Sequence, residues 1–107
     1  MNKAETKFMN LVNKLSSADD DVFMGKMMSS PGLKYKDKVF AFFNKDTMGF
    51  RLGTELDIHK LGVKNPQPLS PFKTKPPLKG WWIVDYEEHK HWDKLAEISL
   101  SYTKTLK

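Results

Sequence analysis

Cysteine is missing from the 107 residues, and with it go disulfides, thiolate zinc sites, iron–sulfur clusters and thiol nucleophiles. Arginine is almost as scarce, since Arg51 stands alone beside 17 lysines. Bidentate reading of guanine edges is mostly arginine work, so this balance argues against sequence-specific DNA readout more than against loose phosphate contact. No apolar run approaches the roughly 18 residues of a membrane span. The start, "MNKAETKFMN", lacks an apolar signal core, and a soluble, cytoplasmic protein is the expectation. Also missing are internal repeats, low-complexity tracts, a Gly-rich phosphate loop, a nucleophile elbow and a carboxylate pair on a rigid element. No catalytic residue, metal or cofactor is assigned.

A net charge of +5 is present, and it is unevenly placed. Residues 31–80 hold nine lysines, Arg51 and four acids, whereas the flanking segments are nearly balanced. Between Asp57 and Asp85 come Lys60, Lys64, Lys73, Lys75 and Lys79 with no acid among them, a local field that could attract polyanions. A solvated loop that keeps the protein soluble is the plainer explanation.

Ala4, Phe8, Leu11, Val12 and Leu15 recur at helical spacing, which predicts a first helix ending near "SSADDD". "VFMGKMM" (22–28), "LKYKDKVFAFFN" (33–44) and "TMGFRLG" (47–53) read as strands, broken by "SSPG", by "KD" at 36–37 and by "NKD" at 44–46. Asp37, Asn44 and Asp46 are types that tolerate tight turns. "TELDIHKLG" reads as a short helix with Thr54 as N-cap, Asp57 in a capping box and Gly62 as its stop. Five of the six prolines then fall in "VKNPQPLSPFKTKPPLKG", predicting a loop or an extended crossing. "WWIVDY" is a strand, and a long helix over about 87–105, capped by Asp85 with Glu88, lines Trp92, Leu95, Ala96, Ser99, Tyr102 and Leu106 along one side. With no βαβ alternation, this order predicts one α+β domain over 1–107, a two-layer sandwich built on an antiparallel sheet.

Taken in that order, four stretches resemble the TfoX N-terminal domain family, also called TfoX/Sxy. "GKMMSS" (25–30) is similar to the family's lysine, methionine, phenylalanine and paired glycines, and "KDKVFAFF" (36–43) to its hairpin into an aromatic strand. "MGFRLG" (48–53) resembles the strand with an arginine before the glycine, and "PPLKGWWIVDY" (76–86) its proline, lysine, glycine and aromatic–aliphatic strand. The resemblance implies a two-layer α+β sandwich that often pairs as a homodimer. It also implies kinship with bacterial regulators of natural competence, which work with a cyclic-AMP-dependent transcription activator. It supplies no established catalytic residues. Ser29 and Ser30 stand where the family has glycines, and the helical C-terminal domain of the full-length regulators has no counterpart in these 107 residues.

Among chemistry-bearing clusters, "HKHWD" offers only His89 and Asp93 on one helical face, and two ligands do not make a metal site. His59 has only Asp57 beside it. "SPFK" (70–73) matches Ser-x-x-Lys, but Pro71 argues against the helix that activation of the serine requires. The six methionines, including Met24, Met27 and Met28, read as strand packing before an adaptable binding surface. Arg51 points away from the apolar face formed by Met48, Phe50 and Leu52, either in a surface ion pair or as an anchor for an acidic group.

The side-by-side tryptophans are the most informative feature. In a strand, Trp81 and Ile83 take one face while Trp82 and Val84 take the other, so both faces are apolar. In "VFAFF", alternation puts Val39, Ala41 and Phe43 on one side and Phe40 and Phe42 on the other. Helices cover one face of such a sheet, and a surplus apolar face marks an interface. The leading expectation is therefore a non-catalytic, regulatory interaction module acting as a homodimer, with Trp81, Trp82, Phe40, Phe42 and Arg51 as candidate interface residues. The competing arrangement is a monomer in which the proline-rich loop from Asn65 to Lys79 folds back over the outer face. Two alternatives from other classes are a weak, non-sequence-specific nucleic-acid binder using Lys60, Lys64, Lys73, Lys75 and Lys79, and a small-ligand sensor with Arg51 at its pocket.

Overall fold

A computed structural model describes residues 3–27, 30–69 and 78–106. The apolar stripe Ala4, Phe8, Leu11, Val12 and Leu15 is the buried face of α1 (Lys3–Ala18). Strands β1 (Val22–Met27), β2 (Ser30–Tyr35), β3 (Lys38–Asn44) and β4 (Thr47–Arg51) form a meander. β5 (Gln67–Leu69) and β6 (Leu78–Asp85) complete an antiparallel sheet of order β1-β2-β3-β4-β6-β5. With α1 and the C-terminal helix α2 (Trp92–Lys104), this is the expected α+β architecture. No helix among the described residues is long and apolar enough to cross a membrane.

The two hairpins lie where the turn residues predicted them, but the lysines carry the strain. Lys36 and Lys45 adopt φ of 55° and 56°, the left-handed region, ahead of Asp37 and Asp46. β2 starts earlier than expected, taking in Pro31 and Gly32 of the supposed "SSPG" break. Pro31 is tolerated because its pairing with β1 does not need its missing N–H, and the ladder to β3 begins only at Gly32.

One register shift reorganises the sheet. Leu33 pairs with Ala41 and Lys34 with Val39, so Phe40 is an extra residue in β3 and the alternation breaks there. Phe40, Ala41 and Phe43 all join the core beneath the helices, while Val39 and Phe42 lie in a second cluster. The strict alternation that set Phe40 beside Phe42 is thus corrected, and Phe40 is fully buried in the main core.

The segment 54–62 is also capped differently. A one-turn 3₁₀ helix spans Ile58–Leu61, and Asp57, not Thr54, is its N-cap, accepting from the His59 N–H at 3.0 Å. Gly62 at φ 93° ends it as expected. The single long C-terminal helix is in fact a 3₁₀ segment, Tyr86–His91, kinked at Glu88, followed by α2. Trp92, Leu95, Ala96, Ser99, Leu100 and Thr103 form its buried face, so the stripe turns toward Leu100 and Thr103 where Tyr102 and Leu106 were expected.

Both helices lie on one side of the sheet. Phe8 of α1 stacks on Phe43 at 5.3 Å, and the Trp92 indole N–H donates to the Val84 carbonyl at 3.2 Å. Burial of each such ring stabilises by roughly 1.5–3 kcal/mol. Ion pairs Lys7–Asp93, Lys14–Glu97 and Lys104–Asp19 follow one another in sequence order, so α1 and α2 run side by side in the same direction. The hydrogen bond at 2.7 Å holds the Asp19 carboxyl below, and the Lys104 ammonium above, their ordinary values. These solvent-accessible, partly buried pairs add orientation more than stability.

On the opposite face Phe42 lies directly across from Gly49, and a Cβ on Gly49 would overlap the Phe42 ring. Gly49→Ala is therefore expected to destabilise the fold by about 1–3 kcal/mol in urea denaturation, with most of the loss recovered in a Phe42→Leu background. An additive pair of effects would contradict that packing.

Candidate interaction surface

The helix-free face is built from the outward residues of β3, β4 and β6. Trp81 sits across from Arg51, its ring 5.8 Å from that of Phe42 at a 48° tilt, and Leu69 of β5 completes a buried cluster with Val39 and Ile83 packed around it. Trp82 and Val84 share one face, as the strand alternation predicted, and that face is the one beneath the helices, with Val84 fully buried and Trp82 partly so. The tryptophan on the helix-free face is thus Trp81, which keeps 9% of its surface exposed, while Trp82, the other candidate interface tryptophan, lies on the helix side. The neighbours of Trp81 come from within the chain. Leu69 supplies one of them from the proline-rich segment, because Gln67–Leu69 pair with β6 as an edge strand in a segment expected to be a loop or an extended crossing. Pro68 is acceptable there for the same reason that proline is confined to edges elsewhere.

β6 is irregular beside this strand. Between Trp82, paired with Pro68, and Leu78, paired with Leu69, the ladder skips, and Gly80 takes φ 83°. Its carbonyl accepts both the Leu52 and the Gly53 N–H, at 2.7 and 3.1 Å. A Cβ on Gly80 would stand 3.1 Å from the Gly53 Cα, so both the conformation and the close approach demand glycine.

Arg51 is half-buried on this face and forms no ion pair with any described residue. It lines neither the groove between Leu52–Leu56 and Tyr102 nor the cleft between Asp46, Asp85 and Glu87. Lys60 and Lys64 are exposed on either side of Gly62. Lys73, Lys75, the side chain of Lys79, and the Ser70–Lys73 pair lie outside the described residues. The histidine cluster is dispersed. His89 stacks on Tyr86 at 4.4 Å with its Nδ1 2.8 Å from the Tyr86 carbonyl, Asp93 pairs with Lys7, and His91 abuts Gly62. Among the described residues no group of three or more His, Asp or Glu is arranged to hold a metal.

Two features escaped the sequence. The first is Glu88, read as a cap partner of Asp85. Asp85 makes no capping bond, and the Glu88 carboxylate instead accepts the backbone N–H groups of Lys64 and Asn65, the latter at 2.9 Å. No local signal marks a pairing across 24 residues. The second is β1, the last strand of the sheet on its side. Phe23 and Met24 are 45% and 46% exposed, the large apolar side chains left open among the described residues. Gly25 and Lys26 inside an apolar strand are the edge signature that could have revealed it.

No family model, curated protein or solved structure matches the chain. The family resemblance rests on the four quoted stretches.

Burial works against the charge on Glu88, but the two backbone N–H groups, with His91 and Lys64 nearby, outweigh it and hold the carboxyl below its ordinary 4.5. A carboxyl lowered on folding contributes stability above its unfolded value and loses it as pH falls through the folded one. The stability difference between wild type and Glu88→Gln is therefore expected to be constant near neutral pH and to shrink as the medium is acidified below about 4.5, read by urea unfolding across pH. A difference that grows on acidification would contradict the clamp.

Proposed function

We propose that this protein is a non-catalytic interaction module of the TfoX N-terminal type, acting in regulation as a homodimer. The observation that carries this reading is the apolar strand that ends the sheet. Helices α1 and α2 occupy one face and the buried Trp81–Phe42–Leu69 cluster closes the other, while β1 leaves Phe23 and Met24 exposed at the edge. Apolar surface of that kind on a small domain is used for association. The resemblance to competence regulators supports the regulatory side of the proposal, and the four stretches that carry it span β1 to β6.

Arg51 belongs to this reading as a rim residue, since a half-buried arginine across the ladder from Trp81 suits a partner's carboxylate. The nucleic-acid alternative draws its support from Lys60 and Lys64, both exposed. Salt separates the two, because phosphate-driven binding falls steeply as salt rises and an apolar interface does not.

Light scattering after size-exclusion chromatography is expected to give twice the 12.4 kDa of the chain at tens of micromolar, with the value unchanged between low and high salt. A monomer under those conditions would contradict the homodimer.

A further inference from the structure

We infer that two copies of this chain join through β1, edge to edge and antiparallel across a two-fold axis, making one continuous sheet of twice six strands. The inference rests on the homodimer reading above and specifies which surface forms it.

The backbone phase of β1 supplies the first argument. The Lys36 N–H donates to the Asp21 carbonyl at 2.9 Å, and residues 21 and 36 stand opposite in the β1–β2 register. In an antiparallel ladder, residues alternate between facing their neighbour strand and facing away. Phe23 and Gly25 therefore direct their main-chain groups to β2, and Val22, Met24 and Lys26 direct theirs to the open edge. The Val22 N–H is already taken by the Asp19 carbonyl at 3.1 Å. Left at the edge are the Val22 carbonyl and both main-chain groups of Met24 and Lys26. A second β1 centred on Met24 meets these groups with the matching set, Met24 against Met24 and Lys26 N–H against Val22 C=O.

Side chains supply the second. Phe23 lies across from Lys34, whose ammonium is 5.4 Å from the ring centroid, on the helix-free face. Met24 lies across from Leu33, a core residue, on the helix face. Exposed apolar groups on both faces of one terminal strand are what edge pairing would bury, whereas packing through the outer face would reach Phe23 alone.

Charge selects the occupant. Asp20 and Asp21 stand exposed at the start of β1 and Lys26 stands exposed near its end. Antiparallel pairing brings Lys26 of each copy diagonally past Asp20 of the other, within cross-strand reach, while parallel pairing would set like charges together. The strand is complementary to itself, which favours a second copy over an unrelated extended peptide.

The test is the dimer dissociation constant by analytical ultracentrifugation. Met24→Pro removes a donor that points only to the open edge, and it is expected to weaken the dimer at least about tenfold. Should Met24→Pro disturb folding, exposed charges give a second route. Lys26→Glu is expected to weaken the dimer, and adding Asp20→Lys in the same chain to restore it, because the double variant recreates the pair with its signs exchanged. Restoration supports the β1 edge specifically. If the dimer persists through all three variants and separates on Arg51→Glu, the edge assignment falls and the homodimer reading stands. If the wild-type chain is monomeric, both fall.

Discussion

Phe40 is one residue more in β3 than β2 has room to pair, and the rest of the arrangement follows from that surplus. The bulge lets Phe40 and Ala41 both turn toward the helices, so α1 and α2 close over a continuous floor that includes Phe40, Ala41, Phe43, Met48 and Phe50. Beyond it, alternation resumes with Phe42 on the far side. Phe42 then needs a flat place to lie, and Gly49 provides it directly across the ladder. Trp81 tilts against the same ring, and Leu69 meets Trp81. Removing the extra residue would exchange the two sides of β3 and leave both clusters incomplete.

The segment between β4 and β6 must cross from one ladder to the next while carrying most of the prolines, which cannot contribute ladder donors. It is secured instead by groups outside itself. Gly80 receives the N–H groups that leave β4, Glu88 receives those of Lys64 and Asn65, and Gln67–Leu69 pair along the free side of β6. Gln67–Leu69 thereby do two things at once: they cover the free side of β6, and Leu69 closes the small outer cluster. Nothing comparable protects β1 among the described residues, and the asymmetry between the two edges is the physical basis for placing association there.

Much of this was legible in the chain. The stripe of α1, the hairpins at 36–37 and 45–46, the stop at Gly62 and the opposite facing of Trp81 and Trp82 are all consequences of local periodicity or turn chemistry, and they hold. What local patterns could not reveal depends on partners distant in sequence. The bulge at Phe40 is a property of β2 and β3 together. The role of Glu88 depends on amides 23 and 24 residues away, and the kink in the 3₁₀ segment ahead of α2 falls at this same residue. The strand at 67–69 exists because β6 offers an edge, not because three residues with a proline favour one. For the candidate surface, alternation set Arg51 outward and the two tryptophans on opposite faces without deciding which of them faces out, and it wrongly added Phe40; Trp82, also a candidate, packs against the helix-side core.

Central to the account is a sheet that satisfies its own faces and leaves the edge of β1 open to a second copy. Amide hydrogen exchange followed by NMR tests this strand residue by residue. The Phe23 amide, directed to β2, should be protected at every concentration, while that of Met24 should exchange quickly in dilute solution and slow at least about tenfold as the chain is concentrated. A Met24 amide that exchanges freely at high concentration, beside a protected Phe23, would contradict it.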